Sequence, residues 1–279
     1  MLAQLLFAVA LLGGTSEPDT SARLPRGGSV EIDVHTRNVS IRTGTSDLVS
    51  VRNGTLDVDG KTFSISADDL LRNHGGNIDI VLPIWARVSV STYTGNIIVD
   101  GAPERLEVQT FQGTIRVTGG AGSLDLQSAA GAITVTDFKG NRLSADATGN
   151  DITVTNASGR IEAASVSGNV RLRGIRSPHV EATSVSGVVE FEGPFATDGR
   201  YAFESHAGGI MLTLPADVDA QLHISTFGGK FLTQIPATRR AGRNDDGDDD
   251  FVAVFGKGAA HVTIDSFSGD IRVLKAGGR

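Results

Sequence analysis

The sequence predicts an all-β protein, a β-solenoid or parallel β-helix-like stack of 18–21-residue repeats. Three observations carry this. A phrase recurs along the chain, as VSVSTYTGNIIV at 88–99, LEVQTFQGTIRV at 106–117, IEAASVSGNVRL at 161–172 and VTIDSFSGDIRV at 262–273. Its apolar positions alternate with polar ones, and glycine makes up 35 of 279 residues while aromatics are 5%. The alternative is an antiparallel β-sandwich or a stack of hairpins, which demands less of unit length than a parallel stack does.

Residues 1–16 open with the apolar run MLAQLLFAVALL and small residues, the composition of a secretory signal peptide, although no basic residue precedes the run. Residues 17–28 lack periodicity and read as a linker, so that 29–275 forms a single β-repeat domain. Its first strands alternate through Val30, Ile32 and Val34, then Val39 and Ile41. Val49 and Val51, the pair Asn53-Gly54, then Leu56 and Val58 predict a tight strand reversal. Phe63 and Ile65 form another strand, residues 68–73 a loop or helical turn, and Gly76 with Ile78, Ile80 and Leu82 brings the chain into register with Gly95.

In the regular part the anchors are Gly95, Gly113, Gly131, Asn150, Gly168, Gly187, Gly208, Gly229 and Gly269, at spacings of 18, 18, 19, 18, 19, 21, 21 and 40. Seven and five residues before each anchor, and two after, stand apolar side chains such as Leu106, Val108 and Ile115. Each unit therefore holds two short strands with one wet and one buried face. The anchor is expected at a turn of positive φ, where asparagine most readily replaces glycine. A second turn falls near Gly101, Gly119, Gly140, Gly159, Gly174 and Gly193. Residues 236–250 interrupt the series as a polar loop, and FVAVFG at 251–256 resumes as a strand.

Candidate sites follow from the columns. Three residues before the anchor runs a Ser/Thr column, Thr92, Thr110, Ser128, Ser165, Ser184, Ser205, Thr226 and Ser266, broken by Ala147. It is expected to satisfy turn amides. Beside it Tyr93, Phe111, Phe227 and Phe267 are expected to stack at the corner; turned outward, they form an apolar strip for a partner. Asp245, Asp246, Asp248, Asp249 and Asp250 are weak calcium candidates without EF-hand spacing. Glu107, Asp125, Asp146, Glu162 and Glu181 read as an outward acidic ridge, with Arg116, Arg171 and Arg272 on the other strand.

Six scattered histidines, with His179 and His261 in one outward column several coils apart, offer no zinc pattern. No nucleophile elbow or P-loop is present, so no catalytic residue and no cofactor is expected. The net charge of −7 argues against nucleic acid, and the absence of cysteine excludes disulfides and thiolate sites.

The phrase LxVxTxxGxIxV, with SVSGNVRL at 165–172 and SFSGDIRV at 266–273 as its clearest copies, resembles the bacterial adhesin-like β-repeat family of domain of unknown function 4097 (DUF4097) over 30–273. The resemblance implies a β-solenoid-like fold in an envelope-associated or exported protein, with no catalytic residues to carry over. The chain lacks the membrane-spanning helix and the lipid-anchor cysteine that accompany some members, so no integral membrane segment is expected in the mature chain. The expected function is a non-enzymatic, adhesin-like binding or structural module, periplasmic or secreted. Its expected partner is an envelope protein, a surface polymer or another copy of itself. The alternatives are a polysaccharide-modifying enzyme and a regulatory protein in envelope-stress sensing.

Overall fold

The structure is a computed structural model that describes residues 20–67, 76–241 and 250–277. The apolar segment 1–16, residues 68–73, and Asp245, Asp246, Asp248 and Asp249 lie outside the described residues. Among the described residues there is no helix, and 27 strands form two mostly parallel sheets that do not close on one another.

The first seven strands are β1 (Thr20–Arg23), β2 (Ser29–Val34), β3 (Val39–Gly44), β4 (Leu48–Arg52), β5 (Thr55–Asp59), β6 (Thr62–Ser66) and β7 (Ile78–Pro83). Regular coils follow, each a longer and a shorter strand: β8 (Arg87–Thr94) and β9 (Ile97–Asp100), β10 (Arg105–Gln112) and β11 (Ile115–Thr118), β12 (Ser123–Ser128) and β13 (Ile133–Thr136), β14 (Lys139–Ala147) and β15 (Ile152–Thr155). Next come β16 (Ser158–Ser165) and β17 (Val170–Arg173), β18 (Arg176–Ser184) and β19 (Val189–Glu192), β20 (Arg200–Ser205) and β21 (Ile210–Leu214). The last six are β22 (Ala220–Thr226), β23 (Phe231–Thr233), β24 (Thr238–Ala241), β25 (Asp250–Phe255), β26 (Ala260–Ser266) and β27 (Ile271–Lys275).

The longer strand of every coil lies in one sheet and the shorter in the other, each pairing in parallel with its counterpart one coil on. Register is exact in the repeat sense: Leu106 pairs with Val88 and Leu124, and Ile115 with Ile97 and Ile133. The predicted columns point inward, with Leu106, Val108, Ile115, Leu124, Leu126 and Ile133 all buried. One continuous core runs the length of the stack. This is the predicted solenoid.

The anchors hold their column for a different reason from the one expected. None of them, Asn150 included, has positive φ. The constraint is axial: a Cβ on Gly113 would lie 2.0 Å from the carbonyl oxygen of Gly95, and one on Gly187 2.1 Å from that of Gly168. Coils about 4.8 Å apart leave no room for a side chain there. The hydroxyl column closes the same corner. Ser184 accepts the Gly187 N–H at 2.9 Å and donates to the Gly168 carbonyl at 2.8 Å; Ser165 repeats the pattern between Gly168 and Asn150. In the exceptional coil both members change together, Ala147 for serine and Asn150 for glycine, and the Asn150 amide donates to the Ala130 carbonyl at 2.8 Å.

Positive φ belongs to the opposite corner. Gly101, Gly119, Asp137, Asn156 and Gly174 lie between 54° and 75°. Four of them are followed by an inward residue, Ala102, Phe138, Ala157 and Ile175, while Gly119 is followed by Gly120, also of positive φ. A further ladder, unanticipated from the sequence, follows the anchors: the Asn96 side-chain oxygen accepts the Thr114 N–H, and that of Asn169 accepts the Val188 N–H, each at 2.9 Å.

Stacking order departs from chain order at both ends. The β2–β3 coil is interposed between β6–β7 and β8–β9, so Gly95 packs on Arg37 rather than on the Gly76 turn. The β26–β27 coil is likewise interposed between β20–β21 and β22–β23, and Gly269 stacks on Gly208 while Gly229 stacks on Gly269. Of the polar 236–250 segment, the described residues include β24 and the first residue of β25, and these two strands form an antiparallel cap on β22. His179 and His261 are consequently only two coils apart, with Arg200 between them.

Two local readings also change. The 17–28 stretch carries strand β1, an exposed edge pairing with β4, followed by buried Leu24. Asn53, at φ 61°, turns the chain from one sheet to the other instead of forming a hairpin; the hairpin is β5–β6, at Gly60.

Replacing Gly113 by Ala should cost about 2–4 kcal/mol, because backbone rather than a side-chain tip must move. Gly119→Asn should stay within about 1 kcal/mol, since its φ of 71° suits asparagine and no atom lies within 3.8 Å of an added Cβ. Denaturant unfolding of both variants checks this, and equal costs would overturn the axial argument. In the hydroxyl column, Ser184→Ala should lose about 1–3 kcal/mol. Thr110→Val should be neutral or stabilising, because the buried Thr110 hydroxyl has no partner; a marked loss of stability in that variant would contradict the assignment.

Candidate functional site

The corner that excludes side chains at the anchor projects them two residues earlier. There the chain leaves the longer strand, and corner N–H groups donate to the neighbouring coil's hydroxyl-column carbonyl, as Val166 to Ala147, Val185 to Ser165, Phe267 to Ser205 and Phe227 to Ser266, while Tyr93 donates to the His35 carbonyl. These bonds leave the corner side chain pointing to solvent. In spatial order the ridge reads His35, Tyr93, Phe111, Ala129, Thr148, Val166, Val185, His206, Phe267 and Phe227. At about 4.8 Å per coil it is about 43 Å long.

The aromatic expectation is met in both its parts, stacked and outward. His35 and Tyr93 are parallel at 5.3 Å between centroids, Tyr93 and Phe111 at 5.0 Å. At the other end His206 and Phe267 stack at 4.6 Å and Phe267 and Phe227 at 5.1 Å. Phe111 remains 48% exposed and Phe227 74%, and Val166 and Val185 between the clusters are exposed as well. An exposed apolar strip of this length makes the corner a candidate interaction surface.

Beside the ridge, on the outer face of the longer-strand sheet, lies a shallow groove. One stretch of about 580 Å³ is walled by Phe111, Ala129, Val166 and Val185 and floored by Gln109, Gln127, Asp146 and Thr183. A second, of about 390 Å³, lies at the other end among Glu204, His206, Phe227, Asp250, Asp265 and Phe267. The floor is one column, with Gln127, Asp146, Ala164, Thr183, Glu204 and Asp265 in register on successive strands.

Each stretch holds one carboxyl that resists ionisation. Asp146 is pushed above the ordinary aspartate range by desolvation against the sheet and then by the charge of Asp125. Asp265 is raised by desolvation and by Glu204 and Asp250. Asp146 thus belongs to the groove floor and not to the acidic ridge; Glu107, Asp125, Glu162 and Glu181 stand in the next outward column.

Arg116, Arg171 and Arg272 lie on the other sheet, as expected, but the acidic column also has arginines on its own sheet. Arg142 and Arg160 reach Glu162 at 2.6 and 2.5 Å on the same sheet. Glu162 is partly desolvated, which raises its pKa, but the Arg160 hydrogen bond and the charge of Arg142 leave it below the ordinary glutamate range. On the other sheet Arg171 reaches Asp151 at 2.5 Å and Glu190 at 3.5 Å, and Arg272 reaches Asp270 at 3.0 Å. These pairs are surface neutralisation.

Of the calcium candidates, Asp250 opens β25 and faces the second groove stretch. Among the described residues no three His, Asp or Glu side chains are placed to share a metal ion, and no helix is long and apolar enough to cross a membrane. The anchors themselves are backbone contacts inside the corner. The groove column was not singled out from the sequence; its one signal is that polar residues four before each anchor face the same way as the acids six before it.

The model of the Toastrack family, DUF4097, matches residues 20–274. Two solved structures share the fold: a "putative adhesin" from Parabacteroides distasonis, 13% identical with a TM-score of 0.54, covering 92% of this chain and 97% of the other, and a "putative adhesin" from Parabacteroides merdae, 10% identical with a TM-score of 0.54, covering 92% and 95%. No curated protein sequence matches the chain.

Asp146→Asn and Asp265→Asn should each raise the melting temperature near neutral pH. A raised folded-state pKa means that the folded protein binds the proton more tightly, so stability falls as pH climbs from the unfolded value through the folded one. The gain should vanish below the unfolded aspartate value of 3.8. Both carboxyls reach water, which keeps the shift small. Melting curves against pH check it, and a variant less stable at neutral pH would overturn the desolvation assignment.

Proposed function

Since the chain belongs to the Toastrack DUF4097 family, we propose that it is a non-enzymatic binding module of the cell envelope, exported to the periplasm or the cell surface, whose working surface is the corner ridge with its groove. The observation that carries this is the continuity of the ridge. Side chains of one corner column, apolar over most of its length, are exposed from Tyr93 to Phe227 apart from the half-buried Ala129, with hydrogen-bonding groups beside them at a constant axial repeat. Such a surface suits an extended, repeating ligand, and a surface polymer fits it better than a compact molecule. Ring edges and valine methyls bury apolar faces while Gln109, Gln127 and Thr183 exchange hydrogen bonds. The adhesin names of the two solved structures support a binding role, and the apolar segment at 1–12 supports export.

The test is binding to envelope fractions and to purified surface polysaccharide by the unaltered chain and by a Phe111→Ser, Phe267→Ser variant. Both rings are exposed, so the fold should survive. Loss of two aromatic contacts should weaken binding about tenfold or more. Undiminished binding by the variant would refute the ridge as the working surface.

One observation favours a second reading as a polysaccharide-modifying enzyme: Asp265, its pKa raised by desolvation and by the charges of Glu204 and Asp250, stands with those two carboxyls in an open groove, a grouping suited to acid–base work on glycosidic bonds. Turnover of oligosaccharides that disappears with Asp265→Asn would establish it, and binding without turnover would eliminate it.

A further inference from the structure

The two ends of the longer-strand sheet are open edges of opposite charge. Among the described residues β5 is the last strand at one end, pairing only with β6, and β24 is the last at the other, pairing only with β25. On β5, Leu56 packs toward the core while Asp57 and Asp59 are exposed on the outer face. On β24, Arg239 lies over the Phe251 ring at 3.9 Å, which places the adjacent Arg240, also exposed, on the outer face.

Direction is also compatible. β24 runs antiparallel to β25, which runs antiparallel to β22, so β24 points along the common direction of the sheet. β5 runs antiparallel to β6 and hence against that direction. Laid end to end, two copies would bring β24 and β5 together as an antiparallel pair, with Arg240 facing the Asp57–Asp59 row. From these edges we infer that the occupant of each is a second copy of this chain, joined head to tail by strand addition between β24 and β5.

Charge also selects against the competing pairings. Two β24 edges would oppose arginine to arginine, and two β5 edges aspartate to aspartate, so both two-fold arrangements carry like charges across the new ladder. The contact that remains is heterologous and does not close on itself; repeated, it extends the solenoid into a filament. Edges of four and five residues make each junction weak, so association should depend on concentration. Joining copies would carry the corner ridge from one to the next, but the inference rests on the edges and not on what the ridge binds.

Sedimentation velocity of the purified chain over a wide concentration range tests this. The expected result is a mass that grows with concentration and falls back at high salt. An Asp57→Arg, Asp59→Arg variant, basic at both ends, and an Arg240→Glu variant, acidic on both outer faces, should each associate about tenfold more weakly. Mixing the two should restore association, because opposite ends then meet again; a merely misfolded variant would not be rescued. A mass that stays monomeric throughout, variants that associate as the unaltered chain does, or a mixture that fails to recover would each overturn head-to-tail joining. In the first case the edge charges serve only to block strand pairing.

Discussion

Everything in this molecule depends on how closely two successive coils approach at the anchor corner. With a Cβ at Gly113 set 2.0 Å from the Gly95 carbonyl, the coils are as close as peptide planes allow. The same approach lets Ser184 bridge the Gly187 N–H and the Gly168 carbonyl with one hydroxyl. In the serine coils the bridge satisfies a donor and an acceptor of the buried corner, whereas in the Thr92 coil the Gly95 N–H is met by the Gln112 carbonyl. Glycine and serine recur together because each makes the other's position workable, and Ala147 and Asn150 depart together.

From that corner the rest follows geometrically. Locked axial spacing holds Leu106 over Leu124 and Ile115 over Ile133, which is what makes a single core from units too small to fold alone. It also holds the outward side chains in files. Tyr93 and Phe111 stack at 5.0 Å because the parallel register sets them at the same corner of successive coils. The ridge and groove are therefore products of the repeat and not additions to it. The groove acids behave likewise: Asp146 and Asp265 are hard to ionise because the file places them against the sheet and beside other carboxylates.

A solenoid that simply ended would expose its core at both faces. This chain instead interposes β2–β3 near one end and β26–β27 near the other, each between coils distant in sequence, and caps the far end with the antiparallel β24–β25 pair. The interposed coils tie sequence-distant segments together: Gly269 rests on Gly208 and carries Gly229. Such closure links the ends to the middle of the stack.

Periodicity alone determined the fold class, the buried columns, the hydroxyl file and the adjacency of Tyr93 and Phe111, because a repeat of nearly constant length admits one arrangement in which like residues stack. It located the anchors as well, but not their cause. Positive φ and axial crowding both select glycine, and only coordinates distinguish them; the left-handed positions proved to be Gly119, Asp137 and Asn156 at the other corner. The order of coils at the ends was invisible, since a coil fits equally well against any neighbour with the same columns, and chain order is no guide to which neighbour it takes. That ordering set His261 two coils from His179, brought Asp265 beside Glu204, and left β5 and β24 as the open edges. Local pattern is written in single residues, whereas the company each coil keeps depends on which surfaces remain to be covered once the chain has folded.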